Sequence, residues 1–234
     1  MEKYITLPTP DGFEINGVLN WKEKSEKLII FVHGGQCDLG THILYNGTKY
    51  FTKKGYATFR FNLYDYGDRN RKLHECDFTN HADDIDSVVD FFENEYSEII
   101  LIGHSFGGLA ILYSSQVVSQ SVLWDCSVHV EGAQMRRLED IGEYYLDKGT
   151  SWCYVNKNLF KQYLEESREK ITQMKIPTSV ICAGDSTLPE RWDLFRDNIP
   201  NLKNYFVVDG ANHFFDEEGK EEELFEKTLE FIEN

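Results

Sequence analysis

The sequence predicts an α/β fold, a mostly parallel central sheet flanked by helices, and three observations predict it. Leu28-Ile29-Ile30-Phe31-Val32 and Ile99-Ile100-Leu101-Ile102 are continuously apolar, as suits strands covered on both faces. Between such runs lie segments with helical spacing, so that strands alternate with helices. The strands end directly in glycine-bearing turns, and in sheets of this kind ligands bind at the carboxyl ends of the strands. The 234 residues suffice for a single domain, burying roughly 70% of the unfolded chain's surface.

In chain order, Leu7-Pro8-Thr9-Pro10-Asp11-Gly12 reads as a turn between strands Tyr4 to Leu7 and Phe13 to Asn20, an antiparallel entry hairpin. Leu28 to Val32 is the first buried strand and runs into His33-Gly34-Gly35-Gln36. A helix over Leu44 to Lys54 stops at Gly55, and Ala57 to Asn62 is strand-like. A second helix starts at Thr79 or Asn80, with Asp83, Asp84 and Asp86 complementing its positive end and Ile85, Val88, Val89 and Phe92 forming its packing stripe.

Beyond Ile102 the small residues Gly107, Gly108 and Ala110 open a helix, and Ser121 to Trp124 supplies the next strand. Residues 127–175 then interrupt the alternation and are expected to form an inserted cap. Leu138, Ile141, Tyr144 and Tyr145 have helical spacing there, and Asn156 caps a helix through Leu159, Phe160, Tyr163 and Leu164. Thr178 to Ala183 returns to a buried strand, Pro189 opens a helix, Asn204 to Val208 is the last strand, and Leu224, Phe225, Thr228, Leu229 and Ile232 form the inner face of a terminal helix.

Composition narrows the function classes. The formal charge of −16 repels phosphate backbones and anionic lipid, so no nucleic-acid partner is expected. Part of that charge is local, in the acidic stretch from Asp216 to Glu226. No run approaches the roughly 20 apolar residues that span a bilayer, and the first residues do not resemble a secretory signal, so a cytoplasmic protein without membrane insertion is expected. The five cysteines are odd in number and lack C-x-x-C pairing, which argues for reduced thiols over disulfides or zinc. Nothing in the sequence requires a metal or organic cofactor, and a homodimer is compatible with it.

The chemistry centres on Gly103-His104-Ser105-Phe106-Gly107. This is the G-x-S-x-G pattern of a nucleophile elbow, in which a strained strand-to-helix turn exposes the serine oxygen. Ser105, Asp185 and His213 each follow a strand, in the order Ser, Asp, His. A serine hydroxyl is a weak nucleophile until an imidazole takes its proton, and a carboxylate fixes the imidazole's tautomer. Asp125 also ends a strand and is the alternative acid.

The motifs His33-Gly34-Gly35, Gly103-His104-Ser105-Phe106-Gly107-Gly108, Asp185-Ser186-Thr187-Leu188-Pro189 and Gly210-Ala211-Asn212-His213 resemble those of α/β-hydrolases. The likeness is to small-capped esterases of the cinnamoyl or feruloyl esterase and monoacylglycerol lipase type, and it covers nearly the whole chain. It implies the α/β-hydrolase fold with a small cap, and the catalytic roles of Ser105, Asp185 and His213. It also implies an oxyanion hole from the backbone N–H groups of Gly35 and Phe106. Gly184-Asp185 is a shorter turn than the family's usual G-x-x-D. The expected substrate is a small neutral ester with an apolar or aromatic acyl group, because aromatic residues crowd the cap and the net charge disfavours anions. Gln36, Trp124, Tyr144, Tyr145 and Trp152 are the candidate substrate contacts. A thioesterase, an amidase or peptidase with the same triad, and a non-catalytic small-molecule receptor are the alternatives.

Overall fold

The computed structural model describes residues 1–132, 138–148 and 152–234. Eight strands form the central sheet: β1 (Glu2–Pro8), β2 (Glu14–Asn20), β3 (Lys27–Val32), β4 (Ala57–Phe61), β5 (Glu98–His104), β6 (Gln120–Trp124), β10 (Thr178–Ala183) and β11 (Leu202–Val208), in the order β1-β2-β4-β3-β5-β6-β10-β11. The hairpin β1–β2 and the β2–β4 pair are antiparallel, and every other neighbour is parallel. All five residues of β4 and all six of β10 are buried. Their apolar residues follow from coverage on both faces; among the buried polar ones, Arg60 Nη1 donates to Leu39 O and Thr178 shares a hydrogen bond with Ser121.

Helices α1 (His42–Lys53) and α7 (Lys220–Ile232) pack on one face. On the other face lie α2 (Phe78–Phe92), α3 (Phe106–Tyr113) and the short α6 (Leu188–Asp193). Helix α2 begins slightly before the residues its sequence suggested. Asp77 is its cap, accepting from the N–H groups of Thr79 and Asn80 while the Asn80 side chain accepts from Asp77 N–H. Because α2 starts at Phe78, no acidic residue lies in its first turn, and Asp84, expected to complement the positive end, is instead buried with both carboxylate oxygens accepting from Arg71 Nε.

Residues between β6 and β10 form a second, three-stranded antiparallel sheet, β7 (Leu138–Asp140), β8 (Tyr144–Lys148) and β9 (Trp152–Asn156). Helices α4 (Lys157–Glu165) and α5 (Ser167–Thr172) follow it. Residues 133–137 and 149–151 of the expected cap lie outside the described residues. The helix suggested by Leu138, Ile141, Tyr144 and Tyr145 is in fact the β7–β8 hairpin. Gly142 sits at φ 101° in its turn, where the Asp140 carboxylate accepts from Gly142 N–H. A left-handed residue closes a hairpin and stops a helix. Helix α4 does start at Asn156, whose side chain accepts from Asn158 N–H.

Polar ties and an aromatic cluster hold this insert to the rest of the fold. Gln36 Nε2 donates to Asp147 Oδ2 at 2.6 Å, Asn158 Nδ2 to Asp77 Oδ2 at 2.6 Å, Phe78 N–H to Gln162 Oε1 at 2.8 Å, and Tyr113 OH to Glu166 Oε2 at 3.0 Å. The Phe106 ring meets Tyr163 at 5.2 Å and Phe160 at 6.2 Å between centroids. Among the described residues no helix is long and apolar enough to cross a membrane.

Candidate active site

Ser105 sits between β5 and α3 with φ 55° and ψ −120°, a conformation that non-glycine residues rarely adopt. The turn can be this tight because of the glycines around it. A Cβ on Gly103 would lie 2.6 Å from Gly108 N, and one on Gly107 would lie 2.4 Å from the carbonyl oxygens of Val32 and His33. Those distances are far inside van der Waals contact, so both positions exclude a side chain.

His213 follows β11, and its Nδ1 lies 2.5 Å from Asp125 Oδ2. The acid that meets the imidazole is therefore Asp125, not Asp185. Asp125 ends β6, the strand next to β5, is fully buried and has φ 40°. That backbone turn aims its carboxylate at the neighbouring strand end, where Ala183 N–H (3.0 Å) and Ser186 Oγ (2.9 Å) donate to Oδ1. Asp185 lies one strand further out and its residue is exposed. Its N–H donates to Ala211 O, so the Gly184-Asp185 turn braces the segment that leads to His213.

Two more histidines support the site without entering it. His104 Nε2 donates to His213 O at 2.8 Å, and burial pushes its imidazole down to about 3. His33 accepts from Leu63 N–H through Nε2 while Nδ1 donates to Gly34 O, and burial pushes it down to about 4. Both stay neutral and act as fixed hydrogen-bonding posts. Asn212 shapes the His213 loop as well, its Oδ1 accepting from Phe214 N–H at 2.8 Å.

The backbone N–H groups of Gly35 and Phe106 have no acceptor among the described residues. Phe106 is the first residue of α3, where helical N–H groups lack an internal partner. Gly34 and Gly35 press on the elbow, such that a Cβ on Gly35 would come within 3.2 Å of the Phe106 ring.

Ser105 Oγ lies 3.2 Å from Ser127 Oγ, in a cleft of about 780 Å³ counted with its open mouth. Ser105, Ser127, Tyr163, Ser186, Arg191 and His213 line it. Beyond Phe106 and Phe160, a narrow cavity beneath the insert is lined by Leu63, Leu73, Val155 and Leu159. Gln36 lines this second cavity and ties it to Asp147. The other expected substrate contacts are elsewhere. Trp124 is buried in the core, its Nε1 donating to Thr228 Oγ1. Tyr144 packs on His74, Tyr145 packs on Phe160 from a separate outer groove, and Trp152 is 72% exposed beneath Lys148.

Ser127, Ser186 and Arg191 escape sequence reasoning. Ser127 follows the acid by two residues, and Arg191 sits in a short amphipathic helix, neither of which marks a site.

A mostly parallel sheet with a serine on a strained elbow, and an imidazole–carboxylate pair reaching across β10 from the ends of β6 and β11, defines the class of alpha/beta hydrolases. The sequence agrees: residues 29–152, more than half of the chain, match the profile of the alpha/beta hydrolase family, and the chain belongs to it. No curated protein matches the sequence. Among solved structures, Est1E from Butyrivibrio proteoclasticus with bound ferulic acid is 19% identical with a TM-score of 0.79, over 97% of each chain. DcsB in complex with its substrate analogue is 17% identical with a TM-score of 0.79, over 100% of this chain and 99% of that one. Dienelactone hydrolase from Anabaena variabilis is 16% identical with a TM-score of 0.69, over 98% and 95%. At such identities the likeness shows the fold alone.

Proposed function

We propose that the protein is a serine-dependent carboxylic ester hydrolase that works through an acyl-enzyme. The observation that carries the reading is the His213 Nδ1–Asp125 Oδ2 contact of 2.5 Å beside the strained Ser105 turn. His213 takes the Ser105 proton as Oγ attacks the ester carbonyl, then gives it to the leaving alcohol. Asp125 holds the imidazole in the tautomer that leaves Nε2 free and stabilises the imidazolium without taking its proton. The oxyanion of the tetrahedral intermediate accepts the unpartnered N–H groups of Gly35 and Phe106, each worth roughly 100- to 1,000-fold in rate. Water activated by His213 then releases the acid.

The insert serves as the cap of the site. The cavity beneath it joins Leu63, Leu73, Val155 and Leu159 to the polar side chains of His33, Gln36, His81 and Asp147; the Phe106 and Phe160 rings, which line both it and the Ser105 cleft, support an apolar or aromatic acyl group. A fluorophosphonate probe tests the reaction class: wild type is expected to be labelled at Ser105, Ser105→Ala to stay unlabelled, and a wild type that does not react overturns the proposal.

A further inference from the structure

One wall of the Ser105 cleft carries a cation that forms no ion pair among the described residues. Arg191, on α6, shares the cleft with Ser105 and His213. Its Nη1 donates to Val128 O and to Tyr163 Oη, each at 3.2 Å. These two bonds fix the guanidinium and occupy only Nη1, whereas the group carries five N–H donors in a planar fork. Among the described residues Arg191, like Arg168 over the Phe195 ring, forms no ion pair, whereas Arg60, Arg69, Arg71 and Arg196 each face a carboxylate. In a chain with 40 acidic residues against 24 basic ones, an arginine in the nucleophile's cleft that is not paired with a carboxylate among the described residues is available to an anionic ligand.

The side of the cleft it occupies specifies what it meets. On the hydrolase reading above, on which this inference rests, His213 must hand a proton to the leaving oxygen, so the leaving alcohol lies on the His213 side of Ser105. The acyl group lies on the other side, toward Gly35 and Phe106. Arg191 belongs to the His213 side through its place in the fold, because α6 follows β10, the strand between those that lead to Asp125 and His213, and the hydroxyls of Ser127, Ser186 and Thr187 line the same cleft. We propose that Arg191 recognises an oxyanion, a carboxylate or a phosphate, carried by the alcohol portion of the ester.

The proposal departs from the neutral ester expected from net charge. Salt screens exposed charges beyond about 8 Å at physiological ionic strength, so the −16 of the whole chain weighs less on a bound ligand than one guanidinium in contact with it. The guanidinium fork matches two oxygens of a carboxylate or phosphate at once, and such charge-assisted bonds are worth about 1.5–3 kcal/mol, or roughly 10- to 150-fold in binding.

Three acetyl esters test the proposal: 4-acetoxybenzoate, 4-acetoxyphenyl phosphate and the neutral methyl 4-acetoxybenzoate. Wild type is expected to favour at least one anion over the neutral ester in kcat/KM. Arg191→Gln is expected to lower that ratio by roughly tenfold or more, mainly through KM, with Arg191→Lys keeping part of it. Whichever anion gains more distinguishes carboxylate from phosphate. On wild type itself, raising the salt concentration should erode the preference, which needs no variant to fold. A ratio unmoved by both Arg191→Gln and salt overturns the proposal. Binding of 4-hydroxybenzoate and of 4-hydroxyphenyl phosphate to Ser105→Ala, measured by calorimetry with and without Arg191→Gln, separates the two readings. Arg191-dependent binding without turnover of any ester upholds the anion site and sinks the hydrolase; turnover without Arg191 dependence in rate or binding does the reverse.

Discussion

The central sheet and the insert are built on opposite terms. In the sheet, Ser105 and Asp125 follow β5 and β6, which are buried at every residue but the first, and Asp125 itself is inaccessible to solvent. In the insert, β9 and the helices after it reach the core through Val155, Leu159, Phe160, Tyr163, Ile171 and Met174, but Trp152 and Tyr154 stand 72% and 55% exposed and the β7–β8 hairpin buries no hydrophobic residue, its Asp147 being tied to Gln36. Reacting groups must be held within fractions of an ångström, which a packed parallel sheet provides. A wall that only has to fit a substrate tolerates looser construction, and local stability is lower where few apolar contacts are buried.

The comparison breaks first if the acid is misplaced. Asp125→Asn is expected to lower kcat by roughly 1,000- to 10,000-fold by upsetting the imidazole tautomer. Asp185→Asn, at an exposed position outside the pair, should change kcat less than threefold. Steady-state kinetics of both variants on one ester decide it, and a larger loss at Asp185 would return the acid to that strand.

Next in size comes the pH dependence of stability, which the sheet half should dominate. Burial lowers His33 to about 4, and His81 and His104 to about 3, from an ordinary value of 6.5. Below pH 6.5 the unfolded chain binds protons that these folded imidazoles refuse. Their stabilising effect is therefore complete above 6.5 and is lost as pH falls toward 4, by about 1.4 kcal/mol per histidine per pH unit. Urea midpoints measured between pH 7.5 and 4.5 should fall steeply, and a flat profile would show that these imidazoles are not excluded from water.

The smallest effect sharpens the insert side. Asp147→Asn weakens the charge-assisted bond from Gln36 by about 1 kcal/mol. Limited proteolysis should then cut faster within residues 138–156 while the melting temperature of the whole chain moves by only a few degrees. A uniform loss of protection would mean that the insert and the sheet unfold as one unit.

Much of this was legible in the chain. Apolar runs locate β3, β5 and β10 because strands buried on both faces need no alternation, and the glycines that flank Ser105 are demanded by the local turn alone. His213 could be found because it follows the last strand. The acid was not decidable in the same way. Asp125 and Asp185 end adjacent strands, and the choice between them is made by the φ of 40° at Asp125 and by donors from Ala183 and Ser186, 58 and 61 residues away. In the insert, Tyr144 and Tyr145 satisfy helical spacing and strand propensity alike, and Gly142 resolves the ambiguity only once its turn is formed. Arg191 had no sequence signal because its significance lies in the missing carboxylate, a property of its surroundings.

The φ of 55° at Ser105 has an evolutionary side. Backbone strain of this kind costs on the order of 1–3 kcal/mol, and glycine is the residue that relieves it most readily. The position that must keep its side chain for chemistry is thus one where the fold alone would favour having none. Loss of function here is thermodynamically downhill, and without selection for catalysis the elbow would be among the first features to relax.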